Sequence, residues 1–269
     1  MPRVWDKALR FLPWIVGLWA ASTLRRAYPR GKGVFIDDLV REGKNPGYLI
    51  ERLKWLGVKW IAIEIYWVDA NQENTHNLED GVLAHFVPAL KRAGIQCWAW
   101  GFPAPWRVER FVELTAHAYK VAPGLSGVII DPEKPFYENQ YAPQLEDLVS
   151  RLKDLGKPVG ATSYGAPSYH PGFPWEGLSQ VDFGMPQVYS NLGPKYPERA
   201  DRDWRELGIS KIVPLNGASS KHTAGEMLQQ ATWSKTGDGG IGWWSYRHLV
   251  RSKDNARASR AQMVRDFKV

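Results

Sequence analysis

The stretch GVIIDPEKPFY, residues 127–137, decides how the chain is read. An apolar run with β-branched residues ends in two acids, Asp131 and Glu133, with Pro132 between them. Such a run, GVIIDPE over residues 127–133, predicts a buried strand. Side chains alternate along a strand, so Asp131 and Glu133 fall on the face of Gly127 and Ile129. Val128, Ile130 and Pro132 fall on the other face. The two acids should have Cα atoms roughly 7 Å apart. Pro132 cannot donate to a ladder and belongs where pairing ends. Asp-Pro alone also reads as a turn opener, with Glu133 solvated or paired to Lys134.

Outward from this point the chain keeps a rhythm. GVFIDD (33–38), KWIAIEIYW (59–67), IQCWAWGF (95–102), KPVGATSYG (157–165), VDFGMPQVYS (181–190), KIVPLNG (211–217) and GGIGWWSY (239–246) read as further strands. Helical patterns lie between them at 45–57, 78–94, 107–122, 141–156, 197–208 and 222–235. Pro88 predicts a kink in the second of these. Residues 166–180 make a poor helix and read as an irregular aromatic loop. Eight strands alternating with helices imply parallel topology, and eight such units imply a (β/α)8 TIM barrel of the α/β class. A doubly wound sheet is the alternative, but no GxGxxG follows the first strand.

The 269 residues suit one such domain. The expected layout is an N-terminal extension over 1–32, a barrel over 33–250 and a basic helix or tail over 251–269. The extension carries a basic lead, MPRVWDKALR, and an apolar run, FLPWIVGLWAAS, too short to span a bilayer. It reads as an uncleaved packing or anchoring helix, or as a signal peptide cleaved after small residues. The single cysteine, Cys97, rules out an internal disulfide and lies in an apolar strand pattern. A formal charge of +7 favours an anionic partner. The 14 Trp and 11 Tyr exceed what core filling asks for and suit stacking on sugars or protein interfaces.

In a barrel of this kind the chemistry sits at the C-terminal ends of the strands. Those ends carry Asp37 and Asp38; Glu64 and Tyr66; Trp98 and Trp100; Asp131 and Glu133; Thr162, Ser163 and Tyr164; Gln187 and Tyr189; Asn216; and Trp243, Trp244 and Tyr246. Two close carboxyls raise one another's pKa, and an apolar pocket raises it further. A carboxyl still protonated near neutral pH can donate to a leaving oxygen, as glycoside cleavage requires.

A D-x-E at the end of the fourth barrel strand resembles the lysozyme-like glycoside hydrolases of the family 25 type, and more loosely the chitinase-like family 18. MPQVYS (185–190) looks like the strand that ends in a Tyr near the cleaved bond, and GWWSY (242–246) like the Trp-bearing strand under the sugar. The resemblance covers roughly residues 33–250. The chitinase pattern carries further acids, whereas Ser126 and Ile129 stand here. The resemblance implies Glu133 as general acid, with Asp131 orienting or stabilising through the N-acetyl group of an amino sugar. It implies Tyr189 near the reacting carbon and Trp244 as a stacking surface. Asp37, Glu64, Trp98, Trp100, Gln187, Asn216 and Tyr246 complete the expected substrate-binding set.

The remaining motifs point elsewhere only weakly. Six scattered histidines show no HxH or HExxH, so no metal or other cofactor is expected. There is no P-loop and no nucleophile elbow. GDGGIG (237–242) precedes the last strand and reads as a turn at the opposite end of the barrel. The expected partner is a polysaccharide, with an anionic cell wall preferred and no nucleic acid. Contact with a membrane or protein assembly is expected through the N-terminal segment. The alternative is an inactive glycan-binding or structural barrel in an assembly such as a phage particle. Either reading places the chain outside the cytoplasm, secreted or virion-associated.

Overall fold

The computed structural model describes residues 28–269 apart from 70, 71, 80, 138, 189–192, 220 and 251–255. The apolar segment and Tyr189 therefore lie outside the described residues. Strand β1 (Gly31–Ile36) leads through helices α1 (Leu39–Gly43) and α2 (Pro46–Leu56) to β2 (Val58–Asp69). A short β3 (Gln72–Asn74), not expected from the sequence, folds back antiparallel on the end of β2. Then follow α3 (Val82–Arg92), β4 (Gln96–Phe102), α4 (Val108–Val121), β5 (Val128–Ile130), α5 (Ala142–Asp154), β6 (Val159–Tyr164) and β7 (Phe183–Gln187). Next come α6 (Lys195–Glu206), β8 (Leu215–Gly217), α7 (Ala224–Trp233), β9 (Gly240–Trp244), α8 (Tyr246–Val250) and α9 (Arg257–Asp266). Leaving β3 aside, every pairing is parallel, and β1 pairs with both β2 and β9. The sheet closes into an eight-stranded (β/α)8 barrel, as the sequence predicts.

Local chemistry explains the element ends. Asn45 caps α2 by accepting from the Tyr48 amide, Pro46 opens that helix, and Gly57 ends it at φ 71°. Thr223 and Glu226 form a reciprocal capping box on α7. Pro88 lies inside α3 without ending it. Residues 166–180 form two 3-10 turns, Pro167–Tyr169 and Trp175–Leu178, in place of a crossover helix.

The strands present two different faces. Val34, Ile61, Ile63, Val128, Ile130, Val159 and Ala161 are buried under the helices. Phe35, Trp60, Ala62, Trp98, Trp100, Ile129, Phe183, Met185 and Leu215 fill the barrel. Glycines make room for the large interior rings. A Cβ on Gly33 would meet the Trp60 indole at 1.9 Å, and one on Gly160 would meet the Phe183 ring at 2.2 Å. The GVIIDPE strand is shorter than expected. β5 stops at Ile130, so Asp131, Pro132 and Glu133 lie just beyond the ladder. Ile129 faces inward and Val128 and Ile130 outward, as the alternation requires.

One irregularity reorders the mouth. Glu64 pairs with Trp100 and Tyr66 with Gly101, so Ile65 is skipped by a bulge. Beyond it the alternation reverses. Tyr66 turns out toward Phe111 and the helices, and Trp67 turns in.

Candidate active site

Asp131 and Glu133 come together at the end of β5, held by one side chain from β7. The Gln187 carboxamide nitrogen donates to Asp131 Oδ1 at 3.1 Å and to Glu133 Oε1 at 2.5 Å. The backbone fixes the approach: the Asp131 amide donates to the Gly101 carbonyl, and Ser163 Oγ donates to the Pro132 carbonyl at 2.7 Å. Asp131 is buried and Glu133 half-buried. Burial pushes the Asp131 carboxyl well above the ordinary range, and the Glu133 charge beside it adds to this. Glu133 is raised as well, by burial, against the opposing hydrogen bonds from Gln187 and Asp131. Both carboxyls are thus favoured in the protonated form relative to isolated carboxyls, Asp131 the more so, with Asp131 as the donor of the pair.

An aromatic wall stands beside Glu133. Burial, and then the Glu133 charge, pushes the Tyr164 phenol up to about 12. Tyr164 stacks on His170 at 4.2 Å, and Tyr137 meets Tyr164 edge-on at 5.9 Å. His170 comes from the irregular loop after β6.

A second group of acids lies across the mouth, at the ends of β1 and β2. A cavity of about 390 Å³ is lined by Asp37, Asp38, Arg41, Glu64, Trp67, Asn74, His76, Trp244 and Arg247. Glu64 accepts from Asn74 Nδ2 at 3.0 Å, and Asp37 faces Arg247 at 3.5 Å. Asn77 ties the two strand ends by donating to the carbonyls of Asp37 and Glu64 at 2.8 and 2.7 Å. Burial, and then the Asp37 charge, pushes both Glu64 and the neighbouring Glu42 up to about 8. Burial raises Asp37 too, against Arg247. Asp38 caps α1 by accepting from the Arg41 amide, so the cap falls to the second of the two aspartates. Indoles separate the two acidic groups: Trp100 and Trp244 meet at 4.9 Å, and Trp67 meets Trp100 at 6.1 Å and stacks on Phe102 at 4.8 Å.

Four residues expected to bind substrate do not reach the mouth. Trp98 points inward but sits one layer below Trp100, fully buried edge-on against Phe183. Asn216 alternates outward from Leu215 and bonds to Ser234. Tyr246 has left the strand, opens α8 and is buried among the helices. Trp100 is fully buried beneath the mouth and supports it from below. Five residues lining the cavity at the mouth were not singled out from the sequence: Trp67, Asn74, His76, Arg41 and Arg247. The bulge and the β3 hairpin place the first three, and neither leaves a periodic signal. Among the described residues no group of three or more His, Cys, Asp or Glu is arranged to hold a metal.

No family model and no curated protein sequence matches the chain. Solved structures match in fold. A chitinase from Bacteroides thetaiotaomicron superposes with a TM-score of 0.63 at 12% identity, over 88% of this chain and 96% of that one. The spore cortex-lytic enzyme SleL of Bacillus cereus gives 0.58 at 12%, over 90% and 76%. The YdjI aldolase of Escherichia coli K12 gives 0.51 at 12%, over 92% and 90%. Identities this low establish the barrel and leave the chemistry to the site.

Proposed function

We propose that the chain is a glycoside hydrolase acting on an amino-sugar polysaccharide, with peptidoglycan as the preferred substrate. One observation carries the reading: two buried or half-buried carboxyls meet at the end of β5, tied by Gln187 and flanked by an indole-lined mouth. The proton passes from Asp131 to Glu133, and Glu133 gives it to the leaving oxygen. Asp131, left charged, stabilises the positive charge that develops on the sugar as its bond to that oxygen breaks, and water then adds to the anomeric carbon and returns a proton to the carboxylate pair. Half-buried Trp244 and Trp67 offer faces on which a sugar ring stacks. The fold shared with a chitinase and a cortex-lytic enzyme agrees with this substrate class. By this reading the chain works outside the cytoplasm, on the wall or as part of a virion.

A second reading has its own support. Gln187 holds Glu133 at 2.5 Å, and both acids are engaged inside the protein. A barrel kept in that state binds glycan without turning it over.

Release of reducing ends from purified peptidoglycan and from chitin oligomers decides between the two, with wild type compared against Glu133→Gln. Hydrolysis requires turnover that falls by about 10³-fold or more in the variant while glycan binding persists. Binding by both proteins with turnover by neither would leave the second reading standing.

A further inference from the structure

A larger cavity lies at the other end of the barrel. It measures about 550 Å³ and is lined by Tyr28, Arg30, Lys59, Lys91, Gln96 and Ser126, among others. No acid lines it. Arg30, Lys59 and Lys91 are exposed, and none of the three forms an ion pair among the described residues. Arg30 spends its donors on the Tyr28 hydroxyl at 2.7 and 3.0 Å. Lys157 adds a further cation at the rim, donating to the Pro123 and Leu125 carbonyls.

The excess extends over the whole floor. The segments feeding the eight barrel strands are residues 28–32, 54–59, 91–96, 120–127, 153–158, 179–182, 206–211 and 234–240. They carry eleven Lys and Arg against four Asp and Glu. Cations in the last turn of a helix answer its dipole, which explains Lys54, Lys91 and Lys120 in part. It does not explain Arg30, Lys59 or Lys157, which lie outside any helix. Three of the four acids are matched: Asp182 by Lys153, Glu206 by Arg202, and Asp238 by Arg205 and Lys211. The mouth, with its two acidic groups, carries the opposite bias.

The chain enters this floor at Tyr28, a cavity residue. Upstream of it, past Ala27, stand Arg25 and Arg26, and before Thr23 and Leu24 comes the apolar FLPWIVGLWAAS (11–22). Among the described residues no helix is long and apolar enough to cross a membrane. One short apolar segment holds a protein to a bilayer only marginally, and a basic face beside it makes the attachment stable.

We propose that the barrel floor docks on an anionic lipid bilayer, with lipid phosphates seated between Arg30, Lys59 and Lys91. The spread of charge over all the floor segments favours a surface over a single soluble anion. The mouth then faces away from the membrane. This assignment stands whether or not the mouth hydrolyses a glycan.

Flotation of the full chain with vesicles tests it, using phosphatidylcholine alone and phosphatidylcholine with phosphatidylglycerol. The expected result is association with the anionic vesicles at least tenfold tighter than with the neutral ones, weakening as salt is raised. Arg30→Gln/Lys59→Gln/Lys91→Gln, checked for an unchanged melting transition, should lose most of that preference. A salt titration of the wild type reads the same electrostatics if the triple variant fails to fold. Equal binding to both vesicles, or a triple variant that binds as wild type does, would overturn the proposal. So would complete displacement by millimolar inorganic phosphate, which would make the cavity a site for a soluble anion.

Discussion

Gln187 stands 2.5 Å from Glu133 and donates to it the same amide nitrogen that reaches Asp131. That contact favours the charged form of Glu133 and holds its pKa down against burial. Replacing Gln187 with Met keeps the volume and removes the donor. The Glu133 pKa should rise, and the alkaline limb of kcat/KM, set by loss of the acid's proton, should move up by about one pH unit. The turnover number should fall about tenfold as the acids lose alignment. A pH profile that does not move would separate Gln187 from the acting acid.

Trp67 and Trp98 make a matched pair. Trp67 borders the mouth, half-buried, and Trp98 fills the interior. Trp67→Ala should raise KM by about tenfold with little loss of stability. Trp98→Ala leaves a void and should cost about 3–5 kcal/mol in urea unfolding. The reverse assignment of the two effects would contradict the placement of the bulge.

Glu42 is about 1% exposed, and both carboxyl oxygens are without a hydrogen bond. Its folded pKa of about 8 lies above the ordinary 4.5. A raised carboxyl pKa means that the folded state holds the proton longer than the unfolded one. Stability is then full below pH 4.5 and declines as pH rises toward 8. Glu42→Gln removes that decline. The variant should match wild type near pH 5 and melt several degrees higher near pH 8.5, about 1–3 kcal/mol, by calorimetry at both pH values.

Gly160 faces the Phe183 ring, with 2.2 Å to an added Cβ. Gly160→Val should cost about 2–4 kcal/mol through overpacking, read from the denaturation midpoint. The catalytic pH profile of whatever folds should stay unchanged.

Where the chain alternates without interruption, its sequence could be read. Ile129 against Val128 and Ile130 gave the inward face of β5, and that face put Asp131 and Glu133 within reach of Gln187. The strand's end could not be read, because an apolar run does not say where ladder pairing stops. β2 shows the other limit. Its period of two holds through Glu64 and breaks at Ile65, so Tyr66 and Trp67 exchange faces with no mark in the residue types. Asn216 shows a third limit, since a polar residue at a strand end serves an outer-layer bond as readily as a site. His76 and Asn74 depend on a three-residue hairpin strand too short to leave a pattern.

Lys32, at the start of β1, donates its ammonium to the carbonyls of Val264 and Arg265 in α9, 232 and 233 residues away. Val264 is buried in the same core as Val34, and β1 also needs β9 for half of its ladder. During synthesis the first strand can pair with the second early, but its other edge stays open until β9 has been made, and α9 then fastens it through Lys32. A stop codon that removes α9 should therefore leave every strand of the ring in place but strip β1 of its Lys32 anchor and uncover the core around Val264, giving chains prone to joining one another.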